Sequence, residues 1–435
     1  MLKNRFWQPT FEKMNPKDLL KLQQKRLKTT VSYAYEKNRF YRKKFKEAKI
    51  RPSQIKTLED LKKIPFTTKK DFRDNYPYGL LAVPLEKVYR IHASSGTTGD
   101  PTVVSYTQKD LEGWSDLIAR NLLMTGVAGK DVYQVILGYG LFTGGLGFHY
   151  GAEKIGATVV PSSTGNTKRQ VKLMKDLGVT AFTSIPSYTL YLAETAKSMG
   201  IDPSQDLKVK SISCGAEVWS PSTRTKVEDI FGCEVFNSYG LSEVCGPGVA
   251  FECVWKNGLH LWSDHFIAEI IDPQTGEALN NEKRGELVLT TLTREAMPLL
   301  RYRTRDITSI LDQKCRCGRS HTIIGWITGR SDDMMKIKGV NVFPSQIESV
   351  LMTVDGVGTN YQILLTRKDF MDEISIKVEV DKSIATSSQK CDILRQELRK
   401  EIESVIGIRA SLTLLPPDSL PRTEGKAKRV LDMRF

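Results

Sequence analysis

Between residues 88 and 310, short runs of β-branched and aromatic residues alternate with segments of helical periodicity, and this alternation leaves few architectures open. VYRIHAS, TVVSY, DVYQVIL, ATVVPSS, VTAFTSI, VKSISCG and CEVFNSYG read as strands, with TKRQVKLMKDLG and PSYTLYLAETAKSMG as helices among them. Strands joined through helices need crossover connections, which make the sheet largely parallel and the fold α/β. Further on, HFIAEIIDPQTGEAL and RGELVLTTL have no helix between them, and DPQTGE is the turn of a small antiparallel β subdomain. After GRSDDMMKIKGVNVFPSQIE come a helix from Pro344, the strands NYQILLTRK and ISIKVEV, the long helix SQKCDILRQELRKEIESVIG and a last strand, ASLTLLP. These predict a separate α+β domain of about a hundred residues. The expected division is 1–329, whose first 85 residues are helical, and a small C-terminal domain, 330–435.

With 435 residues the chain exceeds what one core organises, in keeping with that division. Its net charge of +14 is concentrated at the start, where residues 1–50 carry 15 Lys and Arg against 4 Asp and Glu. Aromatic and aliphatic residues recur at helical spacing in LLKLQQKRLKTTVSYAYEKNRFYRKKF, so the excess reads as the solvated face of helices rather than a nucleic-acid surface. No run of eighteen apolar residues occurs and MLKNRFWQPTFEKMNPKDLL has no apolar signal core, so neither a membrane span nor export is expected, and a cytoplasmic enzyme is the default. Seven cysteines, an odd number and unevenly spaced, argue against a disulfide framework. Cys214, Cys233, Cys245 and Cys391 read as buried thiols.

Cys253 and His260, in CVWKNGLH, and Cys315 and Cys317, in CRCGR, are a different matter. Three thiolates and an imidazole form a closed tetrahedral set, the usual composition of a structural zinc site, with free thiols as the alternative. His265, His321 and Cys245 are spare ligands, whereas His92 and His149 read as packing or hydrogen-bonding residues.

SSGTTG, comprising Ser94, Ser95, Gly96, Thr97, Thr98 and Gly99, is a turn between two strands and does not open a helix. It therefore lacks the arrangement of a Walker loop, and the Walker lysine is absent too. Its glycines let backbone N–H groups approach an anion and its hydroxyls can add hydrogen bonds, although a turn of this composition more often has no ligand. Further motifs follow in order: YGLSE at 239–243, RYRTRD at 301–306, GRSDDMMKIKG at 329–339 and PRTEGKAKR at 421–429. This ladder resembles the adenylate-forming superfamily of acyl-CoA synthetases, nonribosomal adenylation domains and luciferases. Within it, YEKNRFYRKKF, FTTKKDFRDNYPYG, GYGLFTGGLGFHYGAEKIGATVVP, NSYGLSEVCGPGVAFEC and GVNVFPSQIE are similar to the phenylacetate-coenzyme A ligase family.

The resemblance implies a two-step ligase in which ATP, Mg²⁺ and an aromatic acid give an acyl-adenylate, whose acyl group passes to coenzyme A. Glu243 would hold Mg²⁺ against the phosphates, since a hard cation takes carboxylate and phosphate oxygen. Asp306 would accept both ribose hydroxyls, with Arg330 near ribose and phosphate. Gly215, Ala216, Glu217, Asn237, Ser238, Tyr239, Gly240 and Ser242 would complete the nucleotide site, with Tyr239 against the base or, alternatively, packed in the core. Tyr139, Phe142, Ala216, Gly240 and Pro247 would wall the acyl pocket, a slot suited to a flat aromatic acid, though the glycines there can equally serve helix–sheet packing. Lys426, with Lys428 as the fallback, would supply the positive charge that the loop lacks. The C-terminal domain would swing about Asp332 and present Lys336, Lys338 and Gly339 to the CoA channel. Asp100 stands where relatives commonly have lysine. The resemblance also allows a homodimer, and a different acyl acceptor, a carrier protein or deazaflavin cofactor, is the alternative to CoA.

Overall fold

The computed structural model describes residues 5–94, 101–337, 340–368, 371–422 and 429–434. A nine-stranded sheet dominates it, running from edge to edge through Ile310–Leu311, Ile323–Ile324, Leu259–Leu261, Gly246–Glu252, Glu234–Leu241, Ser211–Gly215, Ala181–Ser184, Val132–Val135 and Thr158–Val160. The last five are mutually parallel, as helical crossovers require, while the first four attach antiparallel. Ser211–Gly215 and Ala181–Ser184 are buried along their whole length, which is why they read as continuous apolar and small residues.

Helices cover the sheet, and their starts carry capping signals. Thr107 and Asp110 close a reciprocal capping box on the helix Gln108–Met124, and Ser220 accepts from the Thr223 N–H at the start of Pro221–Phe231. A second antiparallel sheet orders Phe266–Ile271, Gly285–Thr291, Tyr302–Thr308 and Gly329–Arg330. Between its first two strands Asp272 accepts from the N–H groups of Gln274 and Thr275, so DPQTGE is an Asx-type turn. The N-terminal helices Pro16–Lys37 and Arg39–Glu47 pack on this sheet through Leu27, Val31, Tyr41 and Phe45 against Ile267, Leu292 and Leu300.

A separate core gathers Met335 through Leu412. Its four-stranded sheet orders Ser411–Leu415, Met371–Val380, Val357–Lys368 and Val430–Asp432, packed by Pro344–Leu351 and Ser388–Ile406. The mixed α/β fold with a smaller α+β unit agrees with the pattern read from the sequence. The strands around SSGTTG, Arg90–Ser94 and Thr102–Tyr106, form their own antiparallel hairpin with Ser94 opposite Thr102. Two of the thiols expected to be buried, Cys233 and Cys391, are only half-buried. Cys214 and Cys245 are buried, and burial pushes both thiols up to about 12, which leaves them inert. No described helix is long and apolar enough to cross a membrane.

Candidate active site

Four parallel strands end side by side, and the segments leaving them form one rim. Val132–Val135 runs on to Tyr139, Ala181–Ser184 to Ser187, Ser211–Gly215 to Ala216 and Glu217, and Glu234–Leu241 carries Tyr239 and Gly240. In open α/β sheets ligands bind outside this carboxyl edge. The chain is tightly constrained here. A Cβ on Gly215 would lie 2.3 Å from the Ser238 carbonyl oxygen and one on Gly240 2.0 Å from that of Gly246, so only glycine fits at either position. Ala216 follows with φ of +66°, a left-handed conformation that a non-glycine residue adopts at a cost and that is common at binding sites.

A cavity of about 540 Å³ opens at this rim, between it and the C-terminal sheet. Ala216, Glu217, Asn237, Ser238, Tyr239, Gly240, Asp306, Arg330 and Asp332 all line it. At its wall Asp306 accepts from the Tyr239 hydroxyl at 2.6 Å and from Arg330 Nη1 at 2.9 Å. Strand register makes the second bond possible, since Asp306 and Arg330 face each other across the antiparallel pair. Arg330 also grips Asp332 through Nε and Nη2, at 2.9 and 3.0 Å. Burial lifts the Asp306 carboxyl to about 6, Asp332 and Glu243 push in the same direction, and Arg330 and Tyr239 offset only part of the rise. Burial likewise opposes the Arg330 charge, but Asp306 and Asp332 outweigh it and hold the guanidinium firmly protonated.

Other residues singled out from the sequence lie elsewhere. Glu243 is buried outside the cavity lining, with Lys69 Nζ 3.6 Å from its Oε1, and Ser242 pairs with Thr143 at 3.1 Å. The Glu217 carboxylate accepts the backbone N–H and hydroxyl of Ser187 at 3.1 and 2.9 Å, capping the helix Pro186–Ser198 as well as lining the cavity. Tyr139, Phe142 and Pro247 group around the helix Gly144–Lys154: Tyr139 bonds His149, Phe142 is the nearest neighbour of Gly144, and Gly147 leaves room for Trp114 and Pro247. A Cβ on Gly138 or Gly140 would meet nothing within 4 Å, so the backbone beside Tyr139 borders open space. Ser94 ends its strand with Oγ buried and without a hydrogen-bond partner among the described residues. Lys336 is exposed on a hairpin strand, Met335–Ile337. Ser95, Gly96, Thr97, Thr98, Gly99, Asp100, Lys338, Gly339, Lys426 and Lys428 lie outside the described residues.

The sequence did not point to the cavity residues Trp219, Thr223, Glu348 and Tyr361. Trp219 stacks on Trp326 with ring centroids 5.1 Å apart, and Arg224 sits 4.3 Å over the Trp326 ring. From the C-terminal sheet, Tyr361 donates to Glu348 at 2.9 Å, and Glu348 accepts from Thr223 at 2.9 Å across the cleft. Lys69 was also missed. FTTKKDF announced the start of a helix, but a charge partner 174 positions further on leaves no local trace.

The cysteine cluster is a second site. Cys253, His260, Cys315 and Cys317 are all buried, with ligand atoms within 4.8 Å of one another. Cys253 and Cys315 sulfurs lie 3.5 Å apart and Cys317 Sγ lies 3.4 Å from His260 Nε2. A tetrahedral ion about 2.3 Å from each sulfur would hold them roughly 3.8 Å apart, so the residues fit zinc. Backbone N–H groups of Trp255 and Cys317 point at sulfur, and Gly318 turns the knuckle at φ of +82°. The spare candidates are engaged elsewhere: His265 pairs with Thr293, His321 accepts from the Ser263 N–H, and Cys245 lies outside the cluster.

Residues 13–292 match the AMP-binding enzyme family and residues 339–434 the AMP-binding enzyme C-terminal domain. The phenylacetate-coenzyme A ligase of Thermus thermophilus is 45% identical over 443 residues, covering 98% of this chain and 99% of that protein. That of Escherichia coli is 46% identical, covering 96% and 95%. Among solved structures, a 2-hydroxyisobutyryl-CoA ligase in the postadenylation state with 2-HIB-AMP superposes with a TM-score of 0.93 at 30% identity, over 99% of this chain and 93% of that one. The same ligase with 2-HIB-AMP and CoA in the thioesterification state gives 0.73 at the same identity and coverage.

Proposed function

The chain belongs to the phenylacetate-coenzyme A ligase family of the AMP-binding enzymes, and on that premise we propose that it adenylates an aromatic carboxylate, phenylacetate or a related aryl acid, and transfers the acyl group to coenzyme A with release of AMP and pyrophosphate. Asp306 carries this reading: a buried carboxylate, paired with Tyr239 and Arg330, faces a cavity at the carboxyl edge of a parallel sheet. Such a group suits two vicinal ribose hydroxyls, since an ionised carboxylate accepts at both oxygens. The backbone of Gly215, Ala216 and Glu217, with Asn237, Ser238, Tyr239 and Gly240, borders the base.

Ser94, Ser95, Gly96, Thr97, Thr98 and Gly99 cradle the phosphates. Glu243, with Ser242 beside it, would hold Mg²⁺, which when bound neutralises phosphate charge. The buried carboxylate fits that ion, and the Lys69 ammonium lies 3.6 Å from its Oε1. Lys426 stabilises charge at the reacting phosphorus as the acid attacks, and the AMP moiety becomes the leaving group for the thiol. Tyr139, Phe142, Ala216, Gly240 and Pro247 wall the acyl slot.

The proposed division of 1–329 from 330–435 runs through the short strand Gly329–Arg330, so that Asp332 lies just past it as the hinge. Swinging about Asp332 brings Lys336, Lys338 and Gly339 to the CoA channel. The higher similarity to the postadenylation form of the 2-hydroxyisobutyryl-CoA ligase supports reading this conformation as the one before the swing. Cys253, His260, Cys315 and Cys317 hold a structural zinc ion. We read the enzyme as cytoplasmic, without a membrane or nucleic-acid partner, and compatible with a homodimer.

A pyrophosphate-release screen with arylacetic, benzoic, short aliphatic and hydroxy-aliphatic acids, with and without CoA, tests the reading. Thioester formed fastest from an arylacetic acid is the expected result. Hydroxamate trapping of the adenylate without thioester would move the acceptor to a carrier protein or deazaflavin, and turnover of hydroxy-aliphatic acids alone would overturn the aromatic assignment.

A further inference from the structure

A hydrogen bond and a close carboxylate contact meet at the ring of His149, on the helix Gly144–Lys154 that follows the glycine-rich run. The Tyr139 hydroxyl lies 3.2 Å from Nδ1, and Glu153 Oε1, one helical turn further along, lies 3.0 Å from Nε2. The two aromatic rings meet edge to face, 5.7 Å apart at 89°. An i, i+4 pair of a half-buried His and an exposed Glu is by itself an ordinary feature of a helix surface. The link to Tyr139 gives it consequence.

A carboxylate has no proton to offer, and a lone pair on Nε2 would face its negative charge at 3.0 Å, so the neutral imidazole keeps its proton on Nε2. Nδ1 is then left with its lone pair, and the bond to Tyr139 can form only if the phenol donates. A phenol has one proton. With that proton committed to His149, Tyr139 presents only oxygen lone pairs and a ring to anything else that approaches it. The tyrosine is half-buried and leaves the parallel strand Val132–Val135 at the rim shared with Ala216 and Tyr239, next to the open space at Gly138 and Gly140.

We infer that His149, oriented by Glu153, is a positioning residue that makes Tyr139 an acceptor-only wall of the acyl slot, so that the enzyme favours aromatic acids whose ring substituent donates a hydrogen bond over those whose substituent only accepts one. The inference rests on the reading of Tyr139 as part of that slot. Its physical basis is the asymmetry of polar recognition. A hydroxyl or amino substituent finds a partner in the phenol oxygen, whereas a nitro group of comparable reach is set lone pair against lone pair and loses its water without replacement.

The test is pyrophosphate release with hydroxy-, amino- and nitrophenylacetates, substituted at each ring position in turn, for the wild type and for His149→Phe, His149→Gln and Tyr139→Phe. In the wild type, kcat/KM at the responsive position should favour the donor-bearing acid over the nitro acid by at least about tenfold. His149→Phe frees the phenol proton and should bring that ratio to within about twofold. His149→Gln, whose amide oxygen can accept the same proton, should restore it, and Tyr139→Phe should abolish it. A purely structural role for His149 would lower kcat/KM for all the acids alike and leave the ratio standing, which would overturn the inference, as would a wild-type ratio near one at every position. Failure to release pyrophosphate with any aryl acid would remove the aromatic reading of the site itself, and the inference with it.

Discussion

The rim at Asp306 and the cluster at Cys253 are built in the same way and are suited to opposite tasks. Each gathers residues from distant parts of the chain at the ends of short strands, and each concentrates groups that could bind a charged partner. At the rim, the charged groups line a cavity of about 540 Å³, and the central carboxyl is pushed up to about 6. In the cluster, four ligand atoms converge within 4.8 Å and every residue is buried, so that an ion they share has no position left for a substrate. The difference is openness: chemistry needs polar groups that are arranged but still available, whereas a structural site needs them fully engaged with one another.

If that contrast holds, damage at the rim should be read in rates and damage at the cluster in stability. The largest effect is expected from Lys426→Ala, with adenylation falling about 10³-fold while thioester formation from preformed acyl-adenylate stays within a few-fold, and the two half-reactions measured separately will show it. Equal loss in both would assign the charge to another residue. Asp306→Asn should lower kcat/KM for ATP about 10²-fold without lowering the unfolding temperature. The same residue fixes a pH dependence. Because burial raises its pKa from 3.8 to about 6, Asp306 is a carboxylate above that pH and a neutral acid below it, so KM for ATP should rise as pH falls through about 6, and the step should vanish in Asp306→Asn. Asp332→Pro should slow thioester formation about tenfold more than adenylation, since it stiffens the segment about which the second step is proposed to turn.

The smallest rate effect belongs to Cys315→Ser. Elemental analysis of the wild type should find about one zinc per chain. The variant should lose the metal and unfold at least about 5 °C earlier, while keeping kcat at 25 °C within about threefold. A wild type that is metal-free and equally stable would dissolve the contrast.

Short contiguous motifs marked candidates in advance. Asp306, at the end of RYRTRD, lines the cavity, whereas Glu243, at the end of YGLSE, is buried outside its lining; the three cysteines and the histidine, which stand out because their residue types rarely occur together by chance, do converge. The two strands that flank SSGTTG were readable too, from their β-branched residues. Contacts between elements were not readable. Nothing near Thr223 points to Glu348, and neither tryptophan of the Trp219–Trp326 stack carries a spacing that names the other. The strand Val430–Asp432, which adds in parallel to Val357–Lys368, is three residues long and too short to show a period. Cys233 and Cys391 fell short of the expected burial because residue type predicts an average environment and not a particular one.

The Asp306 carboxylate already has a strong donor on each oxygen before any ligand arrives, the Tyr239 hydroxyl on one and the Arg330 guanidinium on the other. On the proposed reading, a ribose reaching it would exchange or share partners instead of relieving a bare charge, and the net gain would be smaller than the count of new hydrogen bonds suggests. If the proposed reaction releases AMP at the end of every cycle, this moderation would act as a clearance mechanism: the same prearrangement that orients an incoming nucleotide would stand ready to reclaim the carboxylate as the spent one departs.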